Sequence, residues 1–116
     1  MNKDEIVLMK IISYADRIDM VIKRFSLDYE KFAADFFVQD AISMCILQIG
    51  ELANKLSKET TEKYNEIPWR AVVAMRNRAA HEYDAMDKEM IWKTATESIP
   101  RLKVYCKKML EKFKDG

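Results

Sequence analysis

The chain has 116 residues, enough to bury one hydrophobic core and too few for two, so a single domain over residues 1–116 is expected. Its 20 Lys and Arg against 19 Asp and Glu leave a formal charge of +1, which excludes nucleic-acid binding through a broad electrostatic field and restricts any such contact to a local patch. Cys45 and Cys106 sit far apart in apolar patterns and read as reduced core residues. No run of about 18 apolar residues is evident, and the N-terminus Met-Asn-Lys-Asp-Glu is polar and acidic, so a cytoplasmic location away from membranes is expected.

Only two glycines and two prolines occur, and no alternating apolar–polar run is bounded by turn residues, which points to an all-α chain of four long helical segments. Leu8, Ile11, Ala15, Ile18, Ile22 and Phe25 recur at steps of three and four and predict a first helix over about residues 3 to 25. The connection Ser26 to Asp35 holds one helical turn around Tyr29 to Ala33, with Asp28 as its cap. A second helix over about residues 36 to 56 carries Val38, Ile42, Cys45, Ile49, Leu52 and Leu56; Ala41, Met44, Ile46 and Leu47 make its flanks apolar too. Such a helix takes either a central place in a bundle or a subunit interface.

Ser57 to Glu66 reads as a polar connection, after which Pro68 suits the first turn of a third helix running to about Ala80. Asp87 is the expected cap of a fourth helix, with Ile91, Ala95, Leu102, Cys106, Met109 and Phe113 on one side and a kink or break at Pro100, near Ile99. The eight methionines are read as gap-fillers in the core.

From Arg76 to Tyr83 the chain reads Arg-Asn-Arg-Ala-Ala-His-Glu-Tyr and holds its single histidine, His81. Most such histidines are solvated helix-end residues. Here, however, an imidazole that exchanges protons near neutral pH, a guanidinium that can hold a phosphate and a phenol stand within eight residues, and phosphodiester chemistry asks for those parts. On a regular helix Arg76 and Tyr83 would share a face while His81 would be rotated by about 140°. The three converge only if the helix ends between Ala80 and Asp84. The chemistry that fits is attack of a ribose 2′-OH on the adjacent phosphorus, with His81 moving a proton and Arg76 holding the oxyanion. One histidine does not easily act as both base and acid, so a two-fold homodimer is expected to bring two copies to one groove.

Arg70 and Arg78 would enlarge the cationic patch as phosphate-binding residues. Asn77 either hydrogen-bonds the phosphate, orients the imidazole or is a plain surface residue. With one His and two distant cysteines, a metal cage would need Glu82, Asp84 and Asp87, which read instead as turn and cap residues; no metal or other cofactor is expected. No Gly-rich phosphate loop occurs.

Arg76, four residues, His81, one residue, Tyr83, with Asn77 after the arginine, resembles the signature of the HepT-like branch of the HEPN family. The flanks Gln39-Asp40-Ala41, Ile49-Gly50-Glu51-Leu52-Ala53-Asn54-Lys55-Leu56 and Ile67-Pro68-Trp69-Arg70 extend the resemblance over nearly the whole chain. It implies an antiparallel up-and-down four-helix bundle with short extra helical turns, and a metal-independent endoribonuclease acting on RNA at a dimer groove. It also implies the toxin of a type VII-like toxin–antitoxin pair, whose partner is a minimal nucleotidyltransferase that adenylylates Tyr83 and silences the nuclease. Two other readings stand beside it: a non-catalytic nucleotide- or substrate-binding helper of such a transferase, and a dimerisation module with a vestigial motif.

Overall fold

A computed structural model describes residues 1–80 and 85–115, the side chains of residues 80 and 85–87 excepted. Helix α1 (Lys3–Arg24) opens with a capping box: the Asn2 side chain accepts from the Glu5 N–H at 2.9 Å and the Glu5 carboxylate accepts from the Asn2 N–H. After it Ser26 takes a left-handed conformation (φ 49°) that turns the chain into α2 (Tyr29–Ala34), capped by Asp28 as expected. The buried Gln39 side chain donates to the Phe32 and Ala33 carbonyls at 2.8 and 3.0 Å, satisfying two acceptors that the end of α2 leaves open. Then follow α3 (Phe36–Ala53), α4 (Lys58–Lys63), α5 (Trp69–Ala80), α6 (Ala85–Lys93) and α7 (Ile99–Asp115). Among the described residues there is no strand.

Residues Thr94–Ser98 join α6 to α7 as one π turn, in which the Ile99 N–H reaches back five residues to the Thr94 carbonyl. Pro100 has no N–H and its ring crowds the preceding turn, so the helix widens ahead of it instead of breaking. The irregularity thus falls where the proline predicts it. Asp87 is not the cap of this segment: α6 starts two residues earlier, at Ala85, which puts Asp87 in the first turn. Pro68 directly precedes the first residue of α5, one place ahead of the expected position.

Contacts fix the topology. Asp4, at the start of α1, meets Ser57, just past α3, while Arg24 and Phe25 share a groove with Ala41 and Cys45; α1 and α3 are therefore antiparallel. Trp69 and Arg70 at the start of α5 lie beside Ala53 and Asn54 at the end of α3, so α5 turns back along α3. Lys103 of α7 pairs with Asp16 of α1, and Phe113 reaches Tyr64 near the other end. The result is an all-helical up-and-down bundle of four long runs, α1, α3, α5 and α6–α7, with α3 packed between α1 and α5.

Leu8, Ile11, Ile18, Ile42, Ile46, Ile49, Ile91, Ile99, Cys106 and Met109 are fully enclosed, which is the pattern that the sequence periods predict. Phe25 is the exception in the first stripe; past the end of α1 it is more than half exposed. The methionines also depart from expectation. Met75 and Met109 are buried, but Met1, Met9, Met20, Met44 and Met90 are exposed, because these positions fall outside the inward-facing stripes of their segments. By length and composition α3 could cross a membrane, which the sequence did not suggest, yet 56% of it is buried within the bundle, as a core helix requires.

The two cysteines are free and buried as expected, and burial pushes the Cys106 thiol up to about 12.

The short polar helix α4 was not expected. Ser57 caps it, accepting from the Thr60 N–H at 3.2 Å, and the buried Asp4 carboxylate accepts from the Ser57 N–H at 3.1 Å and from the Ser57 and Thr60 hydroxyls at 2.5 Å each. Burial alone would raise the Asp4 carboxyl, but these hydrogen bonds outweigh it and hold the group below its ordinary value of 3.8. A carboxyl depressed in the folded state contributes stability that is complete above the unfolded value and lost as pH falls through the folded one. Asp4→Asn is expected to cost about 1–3 kcal/mol near pH 7, and far less at a pH acidic enough to fall below the depressed folded-state value, where the wild-type carboxyl is itself protonated. Urea unfolding of both proteins at the two pH values checks this; an equal difference at both would show that the charge is not what holds α4.

Candidate functional site

Helix α5 carries the arginines. Its inward stripe, Trp69, Val72, Met75 and Ala79, packs in the core, so the residues between them reach the surface at successive angles of about 100°. Trp69 anchors the start of the helix, its indole N–H donating to the Tyr64 carbonyl at 3.1 Å. Arg76 turns toward α3, where Gly50 lies directly opposite. A Cβ on Gly50 would stand 2.9 Å from Arg76 Cβ, 3.0 Å from Arg76 N and 3.2 Å from the Val73 carbonyl oxygen. Absence of a side chain at Gly50 is what lets the two backbones approach so closely at the level of the arginine.

One residue on, Glu51 accepts from the Arg76 guanidinium at 3.2 Å; the two side chains are 46% and 34% exposed. A pair this open to water adds little to stability. Its effect is to aim the guanidinium along the surface between α3 and α5. Sequence reasoning quoted Gly50 and Glu51 only as part of a flank and gave neither a role. A charged residue beside a glycine in an otherwise apolar helix was the available signal.

Of the other expected residues, Asn77 is exposed beside Arg76 on the same turn. Arg78 points away from Arg76 across α5, its guanidinium 3.5 Å from the Met90 sulfur of α6. Arg70 lies about 9 Å back along the helix and rotated by about 120°, in a shallow groove with Thr61, Glu62 and Asn65. The fold thus keeps Arg76 and Asn77 side by side, carries Arg78 to the other side of α5 and leaves Arg70 at the opposite end of the helix. His81 and Tyr83, the expected end of the helix between Ala80 and Asp84, and the acidic side chains of Glu82, Asp84 and Asp87 lie outside the described residues. Among the described residues no group of three or more His, Cys, Asp or Glu is placed to hold a metal.

The surface leading to Arg76 is apolar. Phe37, Ala41 and Met44 follow one another along an exposed face of α3 that continues through Gln48 to Glu51. Phe37 is 73% exposed and stacks on Phe36 with ring centres 4.2 Å apart. Across the groove stand Arg17, Met20, Arg24 and Phe25 of the α1 end, enclosing about 750 Å³.

The family described as Ribonuclease HepT-like matches residues 11–109. A candidate RNase of Methanocaldococcus jannaschii is 32% identical over 108 residues, 93% of this chain and 91% of that protein. A candidate RNase of Caldanaerobacter subterraneus subsp. tengcongensis is 33% identical over 88 residues, covering 76% and 79% of the two chains. A probable ribonuclease HepT of Thermococcus cleftensis is 35% identical over 75 residues, covering 65% and 68%. No solved structure matches. With the family spanning all four long helical runs, the α5 arginines included, the chain belongs to the HepT-like ribonuclease family.

Proposed function

We propose that the protein is a metal-independent endoribonuclease, the toxin of a toxin–antitoxin pair, that cleaves RNA by transesterification at a groove formed by two copies of the chain. The observation that carries this reading is Arg76, held between Gly50 and Glu51 on the turn of α5 that leads into His81. In the reaction the 2′-oxygen bonds to phosphorus and loses its proton to one imidazole. Arg76 and Asn77 stabilise the pentacoordinate oxyanion, and the 5′-oxygen leaves with a proton from the second imidazole. The products are a 2′,3′-cyclic phosphate and a 5′-hydroxyl end.

The exposed stripe of α3 supports the dimer. Phe37, Ala41 and Met44 are apolar, exposed and in line with Glu51, the partner of Arg76, so a two-fold contact along this stripe buries them and draws two sites together. The partner in regulation is a nucleotidyltransferase antitoxin. In that step the Tyr83 phenol oxygen attacks the α-phosphorus of ATP, pyrophosphate leaves and the phenol proton is lost. The attached phosphate then competes for Arg76 and its nucleoside fills the groove.

The test is cleavage of RNA in excess EDTA by the parent protein and by Met44→Asp, each sized by sedimentation. The parent is expected to be a dimer that cleaves. The variant is expected to be a folded monomer whose cleavage drops on the order of 10²-fold or more, since each monomer lacks the second proton carrier. Cleavage by the parent only when a divalent ion is restored, or full activity in a monomer, would remove this mechanism.

A further inference from the structure

On the side of α5 away from Arg76, a cavity of about 420 Å³ opens between α5, the π turn and α7. Its volume falls in the range of ligand-binding clefts, about 300–1,000 Å³. The floor is apolar, made by residues such as Met75 and Leu102, and Tyr105 stands at its edge, 40% exposed. Three cations on three different segments face it, Arg78, Lys93 and Arg101, against one lining carboxylate, Glu66. In a chain with a net charge of only +1, that is a local concentration of positive charge. Glu97 approaches Arg101 at 3.9 Å, but both are well exposed and the contact does not hold the guanidinium.

The π turn adds a second feature. Thr94 and Ser98, its first and last residues, both line the cavity wall and add two hydroxyl side chains to the lining that holds the cations. Single π turns inside α-helices recur at functional sites. Cationic heads above an apolar floor, an aromatic edge and two hydroxyls match a phosphorylated nucleoside: the cations take the phosphate, the floor and ring take the base, and the hydroxyls suit the sugar.

We infer that this cavity binds one nucleotide of the RNA chain at a distance from the phosphate that is cleaved, with Lys93, Arg101 and Tyr105 as binding residues not assigned by the motif. The inference rests on the proposed ribonuclease reading. Arg78 lies two residues from Arg76 but about 200° round the same helix, so Arg76 and the cavity present cations on opposite sides of α5. A strand that has its scissile phosphate on Arg76 and also reaches the cavity must span the width of α5, about 10–12 Å with side chains, so the nucleotide held there lies more than one step from the cut.

The experiment uses the full chain and an eight-nucleotide 2′-O-methyl RNA, which binds but offers no free 2′-OH to react. Anisotropy titrations across a salt series compare the parent with Lys93→Ala/Arg101→Ala, Tyr105→Ala and Tyr105→Phe, all exposed positions whose folding circular dichroism confirms. Loss of the ring is expected to weaken binding about tenfold while Tyr105→Phe stays near the parent. Loss of the two cations should lower the salt slope by about 1.4, at roughly 0.7 per contact on single strands. Adenosine 5′-monophosphate in equilibrium dialysis forms the second arm and is expected to bind far more weakly than the oligonucleotide. Mononucleotide binding as tight as that of the RNA would assign the cavity to a free nucleotide and overturn the inference. Unchanged RNA affinity in the alanine variants would overturn it as well, even if the parent cleaves RNA. A parent that binds through the cavity but cuts no unmodified RNA would instead defeat the nuclease reading alone.

Discussion

His81→Ala is expected to bring RNA cleavage down by on the order of 10²–10⁴-fold, the range for loss of a general acid or base. In the dimer the substitution removes both imidazoles at once, so the upper part of that range applies. Arg76→Ala is expected to lose about 10²–10³-fold, the scale of one oxyanion donor. Arg76→Lys should recover little, because an ammonium cannot present the guanidinium's planar fork both to Glu51 and to a phosphate. In each case secondary structure and dimerisation should be unchanged, since Arg76 contributes to the site through a partly exposed pair and not through core burial. Single-turnover cleavage of a labelled RNA, beside circular dichroism and sedimentation, measures all of this. Parental rates in the His81→Ala protein would remove the histidine from the chemistry.

Gly50→Ala should act on the same arginine from across the helix interface. Alanine is intrinsically the better helix former by about 1 kcal/mol. Here its methyl would meet Arg76 Cβ, Arg76 N and the Val73 carbonyl oxygen at 2.9, 3.0 and 3.2 Å, and all three are fixed by the backbone, so no rotamer change can move them. Separating α3 from α5 costs about 1–3 kcal/mol, as overpacking does elsewhere, so the net loss of stability is small, about 0–2 kcal/mol. The effect on rate is larger. A displacement of about 1 Å at a positioning residue can cost 10²-fold. A variant with nearly normal unfolding but strongly reduced cleavage is the expected result; a stabilised protein with full activity would show that the close approach at Gly50 has no part in positioning Arg76.

The sequence was most legible where burial repeats with the helical period. Leu8, Ile11, Ile18, Ile42, Ile49, Leu102 and Cys106 stand out as inward positions because each stripe has to meet another, and the bundle follows from them. Helix α4 has no such stripe. Its polar residues are fastened by Asp4, a partner that no local pattern reveals. The same limit hid the setting of Arg76. The arginine was visible in its motif, but Gly50 and Glu51 acquire meaning only when α3 lies across α5, and periodicity does not specify which residue of one helix faces which of another. The exposed methionines were misread for a related reason, since composition reports that a side chain is adaptable without saying which side of the helix carries it.

The fastening of Asp4 to Ser57 and Thr60 joins positions 53 and 56 residues apart in the chain. Closing a loop of that size from an open chain costs several kcal/mol of entropy, whereas once α1 and α3 lie side by side their ends are already adjacent and little remains to be lost. The bond set is therefore expected to form late in folding, after the barrier. Removing the carboxylate should leave the refolding arm of a chevron almost unmoved and steepen the population of opened molecules through faster unfolding. The small polar helix would then set the lifetime of the native state more than the speed with which it is reached.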